Sequence, residues 1–260
     1  MSGSLTTALQ PQAQEEEDAA GPAFLTEMDY EPAPTFITAQ VTNLPTLTGS
    51  TLAEDYVRFL VTSSHQPKPL CYDVPVATKL RLLTDSSSEF SMNGELKLYG
   101  GKGFKEIALH YKTDHHLILS TSEIHYSDGQ NPVKFGWGQQ PTKYERDSVS
   151  LILKNDEVDV TMGSVRVVFL LHQQDGDVFL WPAVHQLPKG VTLQGILGKT
   201  DVQYEQLPQS RIRIKDQELP ADEGTATDYG RASAPSVDCW LVPLRFVLQE
   251  ELSDFTVSQL

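Results

Sequence analysis

From residue 57 onward, short apolar runs alternate with polar turn residues, in a pattern typical of antiparallel β-structure. Val165, Val167 and Phe169 fall on one face of an alternating run, and the segment Arg211–Ile214 alternates arginine with isoleucine. Strand and turn units recur at the short, regular spacing that favours a sandwich or an open barrel over βαβ units. We therefore predict an all-β fold, an antiparallel β-sandwich or an open barrel-like domain, with one short helix over Val247–Ser253. The predicted strands are Val57–Thr62, Leu70–Val76, Lys79–Thr84, Phe104–Tyr111, Leu117–Ser120, Ile124–Ser127, Ser148–Lys154, Val158–Met162, Ser164–His172 and Val178–Trp181.

Glycine after Asn or Asp marks the predicted hairpin turns, because such pairs readily adopt positive φ. Asn93-Gly94, Asp128-Gly129 and Asp175-Gly176 are of this kind, and Asn155–Glu157 separates two further apolar runs. Residues 216–236 are rich in Asp, Glu, Gly, Ala and Ser, which predicts a long exposed loop.

The net negative charge is concentrated near the amino end of the chain, where no basic residue offsets the acidic ones. The sequence has 35 acidic and 20 basic residues, a net charge of −15, and no Lys or Arg before Arg58. A segment so acidic and so poor in apolar residues cannot bury enough surface to offset the entropy lost on ordering. We therefore predict an acidic disordered tail or linker over residues 1–56 and a β-rich domain over residues 57–260.

The charge and hydropathy also restrict the partners. An acidic chain lacks the excess of Lys and Arg that a sequence-independent grip on nucleic acid or on an anionic membrane needs. The sequence has no apolar run long enough to span a bilayer and no signal peptide at its start. We expect no nucleic-acid partner and no membrane partner, and a soluble protein or a fragment of a longer one.

Residue patterns typical of metal sites and catalysis are missing from the sequence. His110, His115, His116 and His125 lie close together, but without the His-x-His or Cys-x₂-Cys spacing of a zinc site. The glycine-rich segment Tyr99–Phe104 lacks the phosphate-loop pattern, and there is no Gly-x-Ser-x-Gly. We expect histidines on surfaces or in hairpins, no metal, no cofactor and no enzymatic activity.

The two cysteines carry more information. Cys71 and Cys239 each lie in an apolar, strand-like segment, as a half-cystine or a buried thiol would. Paired, they would close a loop of 168 residues, which the chain-entropy model values at roughly 5 kcal/mol as an upper figure. A disulfide, formed in an oxidising compartment, is the favoured interpretation, and two inert thiols are the alternative.

Two tryptophans are candidates for stacking on a ligand. Trp137 lies in Phe135-Gly136-Trp137-Gly138, where the glycines could leave its ring face open, and Trp181 ends an apolar run. Aromatic rings of this kind serve a carbohydrate- or protein-binding β-sandwich as well as a core. An independent binding module therefore remains an alternative function.

A series of short motifs gives the sequence a specific resemblance. The motifs are, in order, Leu70–Val74, Phe90–Leu96, Gln194–Gly198, Asp238–Trp240 and Asp254–Leu260. Over about residues 57–260 the chain resembles the carboxy-terminal region of inter-alpha-trypsin inhibitor heavy chains. The resemblance implies a secreted protein of plasma or matrix. It also implies association with hyaluronan or other matrix components, in hyaluronan metabolism and matrix stabilisation. This association would run through a longer parent chain, of which this sequence would be a fragment.

The processing site of that family is degenerate in this chain. In those heavy chains an Asp-Pro-His-Phe motif lies before the first cysteine, and its Asp is activated for transfer to a sugar hydroxyl. The corresponding positions here are Tyr56, Val57, Arg58 and Phe59, with Asp55 one position out of register. Because no Pro follows Asp55 and no His precedes Phe59, we expect neither self-processing nor formation of the sugar ester.

Overall fold

A computed structural model describes residues 56–62, 66–100, 102–199 and 202–260. The protein is mostly strand (57%) with only 5% helix, which confirms the all-β prediction. Residues 1–55 of the predicted acidic tail lie outside the described residues. The elements are β1 (Tyr56–Val61), β2 (Leu70–Pro75), β3 (Lys79–Asp85), β4 (Phe90–Leu96), β5 (Phe104–Tyr111), β6 (His115–Ser120), β7 (Glu123–Ser127), β8 (Pro132–Gly136), β9 (Thr142–Arg146), β10 (Val149–Lys154), β11 (Glu157–Met162), β12 (Val165–Gln174), β13 (Asp177–Gln186), β14 (Tyr204–Leu207), β15 (Arg211–Ile214), β16 (Gln217–Pro220), β17 (Asp222–Thr227), β18 (Ser236–Leu241), α1 (Leu244–Leu248) and α2 (Leu252–Phe255).

The largest sheet consists of two antiparallel meanders that curl into a half-barrel. Strands β3 to β8 form the first meander and strands β9 to β13 the second, each strand pairing with the next along the chain. The meanders join where Phe104 of β5 pairs with Leu180 of β13. At their far ends the ring of Tyr144 in β9 lies 5.8 Å from that of Phe135 in β8 and 5.3 Å from that of Tyr126 in β7. The inner faces of both meanders therefore enclose the same hydrophobic core.

The alternation seen in the sequence decides which side chains enter this core. Val165, Val167 and Phe169 of β12 are all at most 1% exposed, while Arg166 between them points outward. Successive side chains of a strand point to opposite faces. The predicted face of β12 is buried, and so is much of the opposite face, where Val168 and Leu170 are each 6% exposed.

Two smaller sheets complete the domain in the described part of the chain. One has the order β1-β2-β18-β17, with β2 and β18 parallel and the other pairs antiparallel. The other has the order β14-β15-β16. In β15, Ile212 and Ile214 are buried, whereas Arg213 pairs with Glu205 and Glu218 on the neighbouring strands. The alternation of arginine with isoleucine is thus a two-faced strand.

Other segments of the chain cover the open edge of β3. Gln194 exchanges two backbone hydrogen bonds with Thr84, and Val257 donates its N–H to the carbonyl of Lys79 at 3.0 Å. A Cβ on Gly195 would lie 2.6 Å from the carbonyl oxygen of Leu82, and Gly195 has a φ of +98°. The close approach of the two backbones therefore requires glycine at this position.

Three of the predicted turns are confirmed by positive φ values, one of them by Gly129 with φ of 83°. Asp175 and Gly176 have φ of 53° and 81° between β12 and β13, and Asn155 has φ of 42° between β10 and β11. Asp128 lies in the loop between β7 and β8, where Oδ1 accepts hydrogen bonds from two backbone N–H groups at 3.0 and 2.7 Å.

The turn predicted at Asn93-Gly94 is wrong, because both residues lie inside β4. A Cβ on Gly94 would lie 2.7 Å from Cδ1 of Phe104 and 2.9 Å from Cδ1 of Leu82. The glycine is needed here for the close packing of a core ring, not for a turn. The actual turn precedes β4, where Asp85 accepts hydrogen bonds from Ser87 and Ser88.

Two further predictions need correction. Residues 216–236 are not one long loop, since they contain β16 and β17 and β17 pairs along its length with β18. The helix predicted over Val247–Ser253 is replaced by two single turns, α1 and α2, separated by Gln249 in the left-handed region with φ of 63°. Among the described residues, no helix is long and apolar enough to cross a membrane.

Candidate functional site

Cys71 and Cys239 are joined by a disulfide bond, as predicted. Cys71 lies in β2 and Cys239 in the neighbouring parallel strand β18, with their Cα atoms 5.8 Å apart. Both are fully buried and pack with Ala226, Leu60 and Leu241 in a small apolar cluster separate from the main core. The bond thus crosslinks two strands that are 168 residues apart in sequence.

The degenerate processing stretch is part of a sheet. Tyr56, Val57, Arg58 and Phe59 lie in β1 and pair with residues 72–75 of β2, while Asp55 lies outside the described residues. Val57 and Phe59 are 1% and 2% exposed. The stretch therefore contributes two core side chains and an ion pair of Arg58 with Asp73.

An aromatic cavity of about 320 Å³ brings together two of the residues singled out from the sequence. Phe59 of β1 and Trp181 of β13 both line it, with ring centroids 5.2 Å apart, and Tyr72 stacks on Phe59 at 5.6 Å. Burial raises the pKa of Tyr72 far above its usual value. The volume lies at the lower end of the range for small-molecule sites, about 300–1,000 Å³.

The mouth of the aromatic cavity is polar. His185, Lys199, Asp228 and Arg231 line it. Nζ of Lys199 lies 2.9 Å from Oε1 of Glu250, and Nε of Arg231 lies 2.9 Å from Oδ2 of Asp228. Because both cations already have carboxylate partners, the cavity suits a ligand with apolar and uncharged polar groups better than an anion.

The two candidate tryptophans are in different environments. Trp181 is only 8% exposed and packs against Phe104 and Tyr229, so it can offer a ligand little more than a ring edge. Trp137 is half-buried, and its Nε1 donates a hydrogen bond to the carbonyl of Ser120 at 2.9 Å. A Cβ on Gly136 or on Gly138 would meet nothing within 4 Å, so the backbone on either side of Trp137 is open, while Trp137 itself packs against the core. Trp137 does not line the aromatic cavity.

The clustered histidines have mixed environments. His115 is buried and its Nδ1 lies 2.8 Å from the hydroxyl oxygen of Tyr126, whereas its neighbour His116 is partly exposed on the opposite face. His125 lies 2.8 Å from Glu123. His115 begins β6 directly after the hairpin turn from β5, which agrees with the expectation of surface or hairpin histidines, but its side chain is buried beside a tyrosine that can satisfy its polar nitrogen. Among the described residues, no group of three or more His, Cys, Asp or Glu is arranged to hold a metal ion.

Most of the aromatic cavity could not be predicted from the sequence. Trp181 and Phe59 are candidate residues from the sequence, whereas Tyr72, His185 and the loop residues Lys199 and Arg231 are not. These residues meet only through long-range packing, and no local pattern marks them.

Comparison with protein-family profiles, curated proteins and solved structures finds no match for this chain.

Proposed function

We propose that the chain is the non-enzymatic carboxy-terminal module of an extracellular protein similar to inter-alpha-trypsin inhibitor heavy chains, associated with hyaluronan metabolism and matrix stabilisation. The observation that carries the proposal is the fully buried disulfide between Cys71 and Cys239, the two cysteines within the motifs of the resemblance. Such a bond persists in oxidising compartments and is rare in the cytosol.

The positions of the other resembling motifs support a shared framework. Phe90–Leu96 is strand β4, Gln194–Gly198 binds the edge of β3, and Phe255 is buried just before Val257 pairs with the same edge. Each motif therefore holds a structural position in the β-sheets. Residues in such positions specify a fold, and a binding or catalytic role would have to come from elsewhere.

Two observations favour a role without catalysis or self-processing. The hydrogen bond of His115 runs to the hydroxyl of Tyr126, which is only 1% exposed, and that of His172 runs to the carbonyl of Tyr229, so neither histidine is paired with an accessible nucleophile. The backbone around Phe59 is paired in a sheet with two buried side chains, where an attacking carboxylate would have little access. Matrix association would then depend on the longer parent chain or on uncharged contacts.

The experiment for the heavy-chain proposal is peptide mapping of the natural protein. The protein is recovered from culture medium, digested and analysed by mass spectrometry for peptides that precede Met1. Peptides of a von Willebrand type A domain, with uncleaved chain across Asp55, are expected. A mature chain that begins at Met1 inside cells, or clean cleavage at Asp55, contradicts the proposal.

The aromatic cavity favours a second function, binding of a carbohydrate or another ligand with uncharged polar groups. An aromatic floor with hydrogen-bonding groups at the mouth is the usual arrangement for such ligands. The full chain is tested on an array of neutral and acidic glycans beside Ala183→Leu, which fills the cavity, and Ala232→Leu, a matched exposed control. Binding of neutral glycans that only Ala183→Leu abolishes supports this function. If Trp137→Ala abolishes glycan binding instead, the binding site lies at Trp137. If neither the wild type nor any variant binds a glycan, both candidate binding sites are excluded.

A further inference from the structure

Two histidines face each other across neighbouring strands on the outer side of the first meander. His110 of β5 and His116 of β6 are direct register partners. Their Nδ1 atoms are 2.7 Å apart, and the rings meet edge to face with centroids separated by 4.9 Å. Both side chains are partly exposed, so solvent reaches the pair.

The local structure fixes this arrangement. Directly opposite residues of an antiparallel pair have the closest side chains that a sheet offers. Ser91 of β4 is the register partner of His110, and Ser127 of β7 is the register partner of His116, so hydroxyl-bearing residues flank the pair on both sides. These neighbours bring no charge to the pair.

The contact between the two Nδ1 atoms is a hydrogen bond from one ring to the other. In the neutral pair one Nδ1 carries a hydrogen and donates it to the lone pair of the other. If the donor ring moves that proton from Nδ1 to Nε2 by exchange with water, both Nδ1 lone pairs point into the space between the rings. The shift leaves the charge of the pair unchanged.

The separation of the two nitrogens fits a particular coordination geometry. Two nitrogens at about 2.0 Å from a metal and at right angles are about 2.8 Å apart, as in square-planar or tetragonal Cu²⁺ and Ni²⁺ sites. Tetrahedral Zn²⁺ needs a separation of about 3.4 Å. The distance of 2.7 Å in the protein is close to the first separation, and each ring must rotate to turn its Nδ1 from the other nitrogen towards a shared metal ion.

We propose that His110 and His116 form a two-nitrogen chelate for Cu²⁺, with Ni²⁺ bound less tightly and Zn²⁺ least. Water completes the coordination, since the described residues offer no third His, Cys, Asp or Glu ligand. The order of metals follows from the nitrogen separation and from the general rise of affinity up to Cu²⁺. The site lies on the outer face of the sheet and is independent of the function proposed above.

The test uses the full chain and Cu²⁺ alone as the probe. Competition titration is combined with electron paramagnetic resonance of the wild-type protein and of His110→Gln, His116→Gln and His125→Gln. His125 is the matched control. It lies in β7 opposite Ile118, on the same face of the sheet as His116, and its imidazole pairs with Glu123.

The expected result is a spectrum with coupling to two nitrogens and a loss of at least about tenfold in affinity for His110→Gln and His116→Gln. His125→Gln should bind as the wild type does. Equal affinity in all four proteins overturns the proposal, as does an equal loss in His125→Gln. A wild-type spectrum without coupling to two nitrogens overturns it whether or not the variants fold.

Discussion

Arg58 of β1 forms a two-bond ion pair with Asp73 of β2, Nε to Oδ1 at 2.7 Å and Nη2 to Oδ2 at 2.8 Å. Its remaining Nη1 donates to the carbonyl oxygen of Thr225 in β17 at 3.0 Å. Strands β1 and β17 are the two edges of the four-stranded sheet. Arg58 therefore ties both edges of this sheet together around the buried disulfide.

We expect Arg58→Met to lower the free energy of unfolding by about 1–3 kcal/mol. The substitution removes the cation of a bidentate, partly buried ion pair and leaves the carboxylate of Asp73 without its partner. Chemical denaturation measures the change, and Asp73→Asn in a double-mutant cycle isolates the pair. The control is Lys154→Gln, whose exposed pair with Glu157 should be worth less than about 1 kcal/mol. Equal effects of the two substitutions would contradict the bridging role of Arg58.

Gly94 provides a prediction about core packing. A Cβ at this position would overlap the ring of Phe104, so Gly94→Ala should cost about 1–3 kcal/mol of stability. Gly136→Ala is the matched control, because it also lies in a strand and its Cβ would meet nothing within 4 Å. Thermal unfolding of both variants is the measurement, and a Gly94→Ala protein as stable as the wild type would refute the close-packing explanation.

His172 should make stability depend on pH. It is buried, its Nε2 donates to the carbonyl of Tyr229 at 2.8 Å, and burial holds its pKa below the usual value. The folded state then binds a proton more weakly than the unfolded state does, so acid favours unfolding. The loss of stability should begin near the unfolded pKa of about 6.5 and continue down to the lower folded pKa.

The measurement for His172 is the free energy of unfolding by urea over the range from neutral pH to about pH 5. His172→Gln should show a shallower pH dependence than the wild type, even if its stability at neutral pH is lower. His125→Gln, at a partly exposed histidine, is the control substitution. A slope unchanged by His172→Gln would show that this histidine does not cause the pH dependence.

The disulfide should supply a large part of the stability. In the chain-entropy model, a crosslink over 168 residues is worth up to roughly 5 kcal/mol. The double substitution Cys71→Ala and Cys239→Ala keeps the cluster with Ala226 apolar and should lower the free energy of unfolding by about 2–5 kcal/mol. Chemical denaturation of the two proteins under non-reducing conditions checks this, and equal midpoints would be the contrary result.

The sequence predicts what local alternation determines. The buried face of β12 around Val167, the tight turn at Asp175-Gly176 and the apolar settings of Cys71 and Cys239 could all be inferred from neighbouring residues. Gly94 misled the prediction because an Asn-Gly pair has the same sequence signature whether the glycine serves a turn or the close approach of a ring.

Long-range pairing could not be predicted in this way. The polar composition of residues 216–236 gives no sign that β17 pairs with β18, since exposed edge strands resemble loops in composition. The aromatic cavity depends on the approach of β1, β13 and two loops, and the pair of His110 with His116 depends on the exact register of a hairpin. A one-residue shift of that register would separate the two rings onto opposite faces.

Labelling of thiols in the natural protein without reduction, followed by digestion and mass spectrometry, tests whether the chain is a disulfide-crosslinked extracellular module. We expect protein recovered from the culture medium to contain a linked peptide joining Cys71 to Cys239 and no labelled cysteine. Protein found only inside cells, with both cysteines labelled as free thiols, would contradict it.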